Sequence, residues 1–440
     1  MTLQKYIKEV HSGATDWFVD ETTTVYNQSR VDNIVDMKEY LSGRHKIVMR
    51  ESEMYNGKEF YPRKIVLQYA KTILNFQTAY LLQHPVTLTG DEKVVKEFQK
   101  VQKVGKYNRV NFQILDKMIK YGVVAEYVYM DGKTIKSKVF DPAESYPVYD
   151  NGNELIAFVE HFIIEGVSYW NVFTDEVVEQ YDNLGGKLRL KERNANLSGL
   201  PIVYVNVSEL SATDGHSELT DLISILDAME DLISKYTDSF YKFMNPIPVA
   251  IGQQLKGHGL PTDIIGGGIN LDDGSEFKMV GNQLDYQTFQ TIYKTLVQSL
   301  LDISNTPAVS MNKTDISNLS EVSIKLLFSL ANVKAGFNEQ FIREGIEQRY
   351  NKIRKLLAYR DVTFTDDEYY TLDTVFQYAM PSNDKEIIEN LRQLSDMGAI
   401  SLEEILNNSP YTNDVQMELG RLNDKDKVSE DLRSLAATTD

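Results

Sequence analysis

The stretch at 217–243, SELTDLISILDAMEDLISKYTDSFYKF, decides how the rest of the chain is read. Its apolar residues Leu219, Leu222, Leu226, Met229, Ile233, Tyr236, Phe240 and Phe243 recur at alternating steps of three and four, a 3.5-residue period. Ser217 is a suitable N-cap, and Pro246 and Pro248 in the following NPIP forbid continuation. A helix of this length reaches about 40 Å. A second stretch, LDYQTFQTIYKTLVQSLLDIS at 284–304, repeats the stripe through Phe289, Tyr293, Leu296, Leu300 and Ile303. The glycine-rich residues between the two read as short strands and loops. Two helices of matching stripe around a small insert predict an antiparallel hairpin with a small domain at its tip.

Beyond the hairpin, a polar run, SNTPAVSMNKTDISN at 304–318, gives way to helix signals from Leu319 to about Tyr359. Val322, Leu326, Leu330, Val333, Phe337 and Phe341 carry its stripe and are expected to face inward, with bends at Gly336 and Gly345. Residues 362–379 return to strand. Short helices are expected at 383–397, 401–408 and 412–422. Toward the N-terminus, PRKIVLQYAKTILNFQTAYLLQ at 62–83 reads as an amphipathic helix opened by Pro62, with Val66, Tyr69, Ile73, Phe76 and Tyr80 on one face. Residues 108–122 read as another, with Phe112, Leu115, Met118 and Ile119 inward. From 123 the period becomes two, with hairpin turns expected at Asp131-Gly132, Asn151-Gly152, Thr174-Asp175 and Gly185-Gly186. GLPIVYVNV at 199–207 closes this block, so the fold class is α+β.

Composition narrows the function. A chain of 440 residues, 42% hydrophobic and 25% charged, has the make-up of a soluble globular protein of two or more domains. No apolar run approaches the roughly 18 residues of a membrane span, and the start MTLQKYIKEVHSG lacks a secretion signal's apolar block, so a cytoplasmic location is the expectation. The absence of cysteine excludes disulfides and thiolate chemistry. A net charge of −18 argues against a protein that coats nucleic acid through Lys and Arg. Residues 361–440 hold 18 acids and 6 bases, so −12 of that charge sits at one end.

Catalytic motifs are missing. No phosphate-binding G-x-x-x-x-G-K-[ST] occurs, and IIGGGIN lacks both the lysine and a following helix. The six histidines show no ligand spacing, and DNGNE and LDDGSE miss that of a calcium loop. DDEYY at 366–370 reads as a solvated turn with aromatic anchors. No Ser-His-Asp set stands out. Neither a catalytic residue, a metal nor a cofactor is expected. Two alternatives stay open: a soluble enzyme using paired carboxylates, and a helical scaffold or adaptor.

In order, the chain runs α+β block, striped helix, Gly-rich insert, striped helix, polar loop, long bent helix, acidic helical tail. Three passages carry a resemblance: YLLQHPVTLTGDEK at 80–93, GLPIVYVNV with the DLISILDAMEDLISKYTDSF after it, and NDKEIIENLRQLSDMGAISLEEILNNSPYTNDVQMELGRL at 383–422. In the last, Gly398, Ser401, Pro410, Asp414, Glu418 and Arg421 keep the pattern, while Glu404 stands near where a threonine is common. With this order and these passages, the chain resembles the tailed-bacteriophage portal proteins of the Gp6-like type, from siphophages of Gram-positive hosts, over nearly its whole length.

That resemblance implies a portal fold assembled as a ring, usually a dodecamer, at one capsid vertex. Its parts would be an α/β wing (1–216), stem helices (217–243 and 284–304), a clip (244–283), a tunnel loop (305–318), a long bent helix (319–360), further wing strands (361–382), and a helical crown with acidic tail (383–440). Double-stranded DNA would pass through the axis without sequence-specific contact. The clip, through Gln253 and Lys256, would meet the terminase large subunit and later the head completion and adaptor proteins. The major capsid and scaffolding proteins complete the implied partners, and the virion vertex the location. Asn312, Lys313 and Thr314 would touch phosphates from the tunnel loop. Leu222, Leu226, Met229, Ile233, Phe289, Tyr293, Leu296 and Leu300 would pack the stem between subunits. Asp221, Asp227, Glu230, Asp231 and Asp238 would form an acidic channel wall past which DNA slides.

Overall fold

The computed structural model describes residues 1–55, 58–243, 247–252, 273–280, 285–307, 320–412, 415 and 418–422. The two striped segments are helices, Glu218–Phe243 and Tyr286–Ile303. Leu219 N–H donates to Ser217 Oγ at 3.2 Å, the expected cap. The helices pack on each other through the stacked rings of Tyr236 and Phe289, 3.9 Å apart. In the insert, Ile247–Ile251 pairs antiparallel with Glu276–Val280. Burial falls along the hairpin. Leu219, Leu222, Leu226 and Met229 near its base are buried, as are Leu300 and Leu301 at the matching end of the second helix. Phe240 and Tyr286, at the other end, are exposed. The hairpin is thus rooted in the main core at one end and uncovered at the other.

That core is built from the first striped helix, the helices Tyr69–Leu82 and Tyr107–Tyr121, the long helix Ser329–Ala358, and a three-stranded antiparallel sheet in the order Ile202–Val205, Val123–Asp131, Thr134–Val139. Beside it an antiparallel meander runs through Ser145–Tyr149, Leu155–Ile164, Val167–Phe173, Val177–Asp182 and Arg189–Ala195. One face of the meander is covered by Trp17 and Phe18 from the N-terminal helix Trp17–Thr22. The four expected turns join strands here. A fifth, Glu165-Gly166, has both residues at positive φ, 50° and 79°, and connects two strands that sequence reading left unjoined.

Arg349 ties the long helix to the sheet from inside. Fully buried, it donates to Glu126 Oε2 (2.9 Å), Tyr204 OH (3.0 Å) and Asn111 Oδ1 (2.5 Å), and Tyr204 OH donates to the same Glu126 oxygen at 2.6 Å. Burial alone would lower the guanidinium pKa. The Glu126 carboxylate, together with the Tyr204, Tyr107 and Tyr350 hydroxyls, outweighs it and holds the group above its ordinary value.

Several expectations change. The helix read from Pro62 begins only at Tyr69; residues 61–67 are not helical. Phe112, expected inward, is exposed, and Ile114 takes its place. Residues 362–379 hold one short strand, Asp373–Val375, paired with Thr87–Thr89, and DDEYY forms a helical turn opened by a Thr365/Glu368 capping box.

The largest change concerns the segment after the polar run. It forms two helices, Glu321–Leu327 and Ser329–Ala358, divided at Phe328 and not at the glycines. A Cβ on Gly345 would lie 2.1 Å from the Tyr204 ring, so this glycine serves close approach, not bending. The buried face runs through Ile324, Phe328, Ala331, Ala335, Ile342, Ile346, Tyr350 and Ile353. Val322, Leu326, Leu330, Val333 and Phe337 face solvent, and Phe341 is half-buried. Ala331 and Ala335 let the helix Tyr69–Leu82 approach closely, with the Tyr80 ring stacked on Phe328 at 5.9 Å.

Candidate functional site

The non-apolar face of the first striped helix turns out to hold another segment of the chain. Residues 61–67 form a strap that runs along it outside any helix or sheet, and alternate backbone N–H groups are received by side chains four residues apart. Arg63 N–H donates to Asp238 Oδ1 (2.9 Å), Ile65 N–H to Ser234 Oγ (3.1 Å) and Leu67 N–H to Glu230 Oε1 (2.7 Å). The match is geometric. Two residues of extended chain rise about 6.6 Å and four helical residues about 6.0 Å, so successive outward N–H groups meet successive turns. A helix running from Pro62 would need the Leu67 N–H for the Arg63 carbonyl, and Glu230 engages that donor instead.

The same carboxylates reach further. His45 Nδ1 lies 2.6 Å from Glu230 Oε1, both groups buried, and the His45 ring stacks on Tyr40 at 3.8 Å. The Arg50 guanidinium lies 3.6 Å from Asp238 Oδ2. Tyr40, buried and facing the Asp227 and Glu230 carboxylates, has its phenol pushed well above its ordinary pKa, burial being the larger cause.

The acidic-wall expectation is therefore corrected for Glu230 and Asp238, which are buried and bound to the strap. Asp227 is half-buried toward Tyr40. Asp221, exposed and 3.0 Å from His216 Nε2, and Asp231, 2.8 Å from Lys235, do face outward. The stem-packing expectation is corrected likewise. Leu222, Leu226, Met229 and Leu300 are buried inside their own subunit, so they have no surface left for a neighbour. Ile233, Leu296, Phe289 and Tyr293 are partly exposed. The tunnel-loop residues Asn312, Lys313 and Thr314 and the clip residues Gln253 and Lys256 lie outside the described residues.

On the second striped helix, Tyr286, Phe289, Tyr293, Val297 and Leu301, with Tyr69 beside them, line an open groove of about 850 Å³. The hydroxyls of Tyr69 and Tyr293 are 3.3 Å apart, and burial followed by this contact raises the Tyr293 pKa. Among the described residues no group of three or more His, Cys, Asp or Glu is placed to hold a metal ion, and no helix is long and apolar enough to cross a membrane.

Sequence reasoning missed the strap and its receptor face. The signal that was available is the i, i+4, i+8 spacing of Glu230, Ser234 and Asp238, a polar line on a helix whose stripe runs elsewhere.

The family described as phage portal protein, SPP1 Gp6-like, matches residues 25–431. The portal protein of Bacillus phage SPP1 is 21% identical over 387 residues, covering 81% of this chain and 74% of that protein. Among solved structures, a chain from the virion of a native gene transfer agent particle is similar at a TM-score of 0.47 and 10% identity, over 86% of this chain and 94% of that one. A chain from the neck of a native gene transfer agent particle, computed with C12 symmetry, gives 0.44 and 11%, over 76% and 86%.

Proposed function

The chain belongs to the SPP1 Gp6-like family of phage portal proteins, and from that premise we propose that it forms a ring of twelve subunits at one capsid vertex, through which double-stranded DNA moves during packaging. The observation that carries the reading is the family match over nearly the whole chain, together with a hairpin rooted at one end and uncovered at the other. An exposed amphipathic hairpin is costly for a lone subunit and is accounted for when its flanks are covered by copies on either side. The carboxylates buried among the described residues, Glu21, Glu126, Glu160, Asp182, Glu230 and Asp238, each hold a neighbouring group of the fold. This engagement and the family match favour a structural role.

In this reading the ring sits in the virion of a siphophage of a Gram-positive host, after assembly in the host cytoplasm with scaffolding and major capsid proteins. The insert, including Gln253 and Lys256, faces the terminase large subunit and then the head completion and adaptor proteins. Asp221 and Asp231 remain as channel-facing acids, and Asn312, Lys313 and Thr314 reach toward the DNA backbone. Phosphate contact by a single lysine is weak and sequence-independent, as translocation requires. Lys313→Glu tests it: packaging rate or DNA retention changes while rings still assemble. Unchanged packaging contradicts the role given to the loop.

A further inference from the structure

The stripe Val322, Leu326, Leu330, Val333 and Phe337 is apolar and uncovered among the described residues. Its five side chains are between 53% and 70% exposed, and they line one side of two consecutive helices. Together they present on the order of 500 Å² of apolar surface, as large as the biggest patch of an ordinary monomer. A stable interface needs about 800 Å² per partner, so the stripe with a polar rim supplies most of one side.

Charge is scarce around it. The charged residues at 320–338 are Glu321, Lys325 and Lys334. Glu321 accepts from Asn383 N–H and pairs with Lys325, and Lys334 is held by Glu218. The second striped helix is equally poor in charge, with Lys294 and Asp302 alone among its 18 residues, against 25% for the chain. Loss of charge with gain of aromatic residues marks the core of protein–protein interfaces. The lengths agree as well. From Val322 to Phe337 is about 22 Å of helix, and the face from Tyr286 to Leu301 is about the same at 1.5 Å per residue.

We propose that the Val322–Phe337 stripe of one subunit seats in the Tyr286–Leu301 groove of a second copy of this chain. The proposal rests on the ring reading above and names the surfaces that would make it. The two surfaces share no residue, so the contact is heterologous. Each copy offers both a stripe and a groove, and such contacts propagate until they close into a ring, where a self-matching stripe stops at a dimer.

The cysteine-free chain makes the test direct. Leu330→Cys is combined in turn with Gln290→Cys, Lys294→Cys or Gln298→Cys on the second striped helix, assembled, oxidised and run on non-reducing gels. At least one pair is expected to give a ladder of covalent multimers beyond dimer, with no ladder from any single cysteine. Rings that form but yield no ladder from any pair overturn the proposal and leave the ring reading standing, as does Leu330→Cys alone linking to itself as dimers. A wild-type chain that stays monomeric with scaffolding and capsid proteins present overturns both. Leu330→Glu provides the complementary result. Because Leu330 is exposed, the variant keeps the monomer's circular dichroism and melting, while the monomer-to-ring ratio rises at least tenfold. Assembly unchanged by Leu330→Glu contradicts the proposal.

Discussion

Glu230→Ala tests the anchorage of the hairpin. In the wild type, Glu230 is wholly buried and its Oε1 serves both the Leu67 N–H at 2.7 Å and the His45 ring at 2.6 Å. Truncation orphans two buried groups, at about 1–3 kcal/mol each, so a loss of about 2–5 kcal/mol is expected. Ser234→Ala removes one neutral acceptor, from Ile65 N–H, and is expected to cost about 1 kcal/mol. Asp231→Ala breaks only an outward i, i+4 pair with Lys235 and is expected to stay within about 0.5 kcal/mol of wild type. Hydrogen exchange resolved to the amides of Arg63, Ile65 and Leu67 is the assay of choice, because it reads the strap locally. Each 1.4 kcal/mol is tenfold, so Leu67 protection should fall about 30-fold or more in Glu230→Ala. Wild-type protection at Leu67 in that variant, or equal effects from Glu230→Ala and Asp231→Ala, would refute the reasoning.

The long helix offers a paired test. Gly345→Ala puts a Cβ against the Tyr204 ring and is expected to lower stability by about 1–3 kcal/mol, whereas Gly336→Ala, whose nearest neighbour is Tyr378 OH at 3.7 Å, should raise it by about 0.5–1 kcal/mol. Thermal melts of the two variants check the opposite signs; equal signs contradict the packing described. Lys352, whose Nζ donates to the Ser198 and Leu200 carbonyls, has its pKa lowered to about 8, chiefly by burial and then by Lys355. Between that value and the unfolded lysine pKa of about 10.4, the unfolded chain binds the extra proton, so this residue's contribution to stability rises with pH there. Urea midpoints of wild type minus Lys352→Met should increase from pH 8 to 10, and parallel profiles contradict the assignment.

How far the sequence could be read depended on where each residue's partner lies. The striped helices and the hairpin turns were legible because period and turn chemistry are local. The strap was not, because the acceptors for Arg63, Ile65 and Leu67 lie some 160 to 175 positions away, and an amphipathic pattern at 62–83 is indistinguishable from helix without them. The acids of the first striped helix divided for the same reason. Charge pattern sets Glu230 and Asp231 side by side, yet one receives a buried backbone donor and the other an outward lysine. The segment after the polar run carries two stripes. The bulkier one looked like core, but Ala331, Ala335, Gly345 and Arg349 won burial through close approach and a satisfied polar network, leaving Val322 to Phe337 outside. Bulk alone does not tell a buried stripe from an exposed one.

The most direct test of the portal reading is the native mass of the purified protein, with negative-stain images of the same sample. A closed ring with a central hole and a mass of roughly 600 kDa, twelve copies of the 50.3 kDa chain, is the predicted result. A compact particle of one chain's mass that persists with scaffolding and capsid proteins present would contradict it.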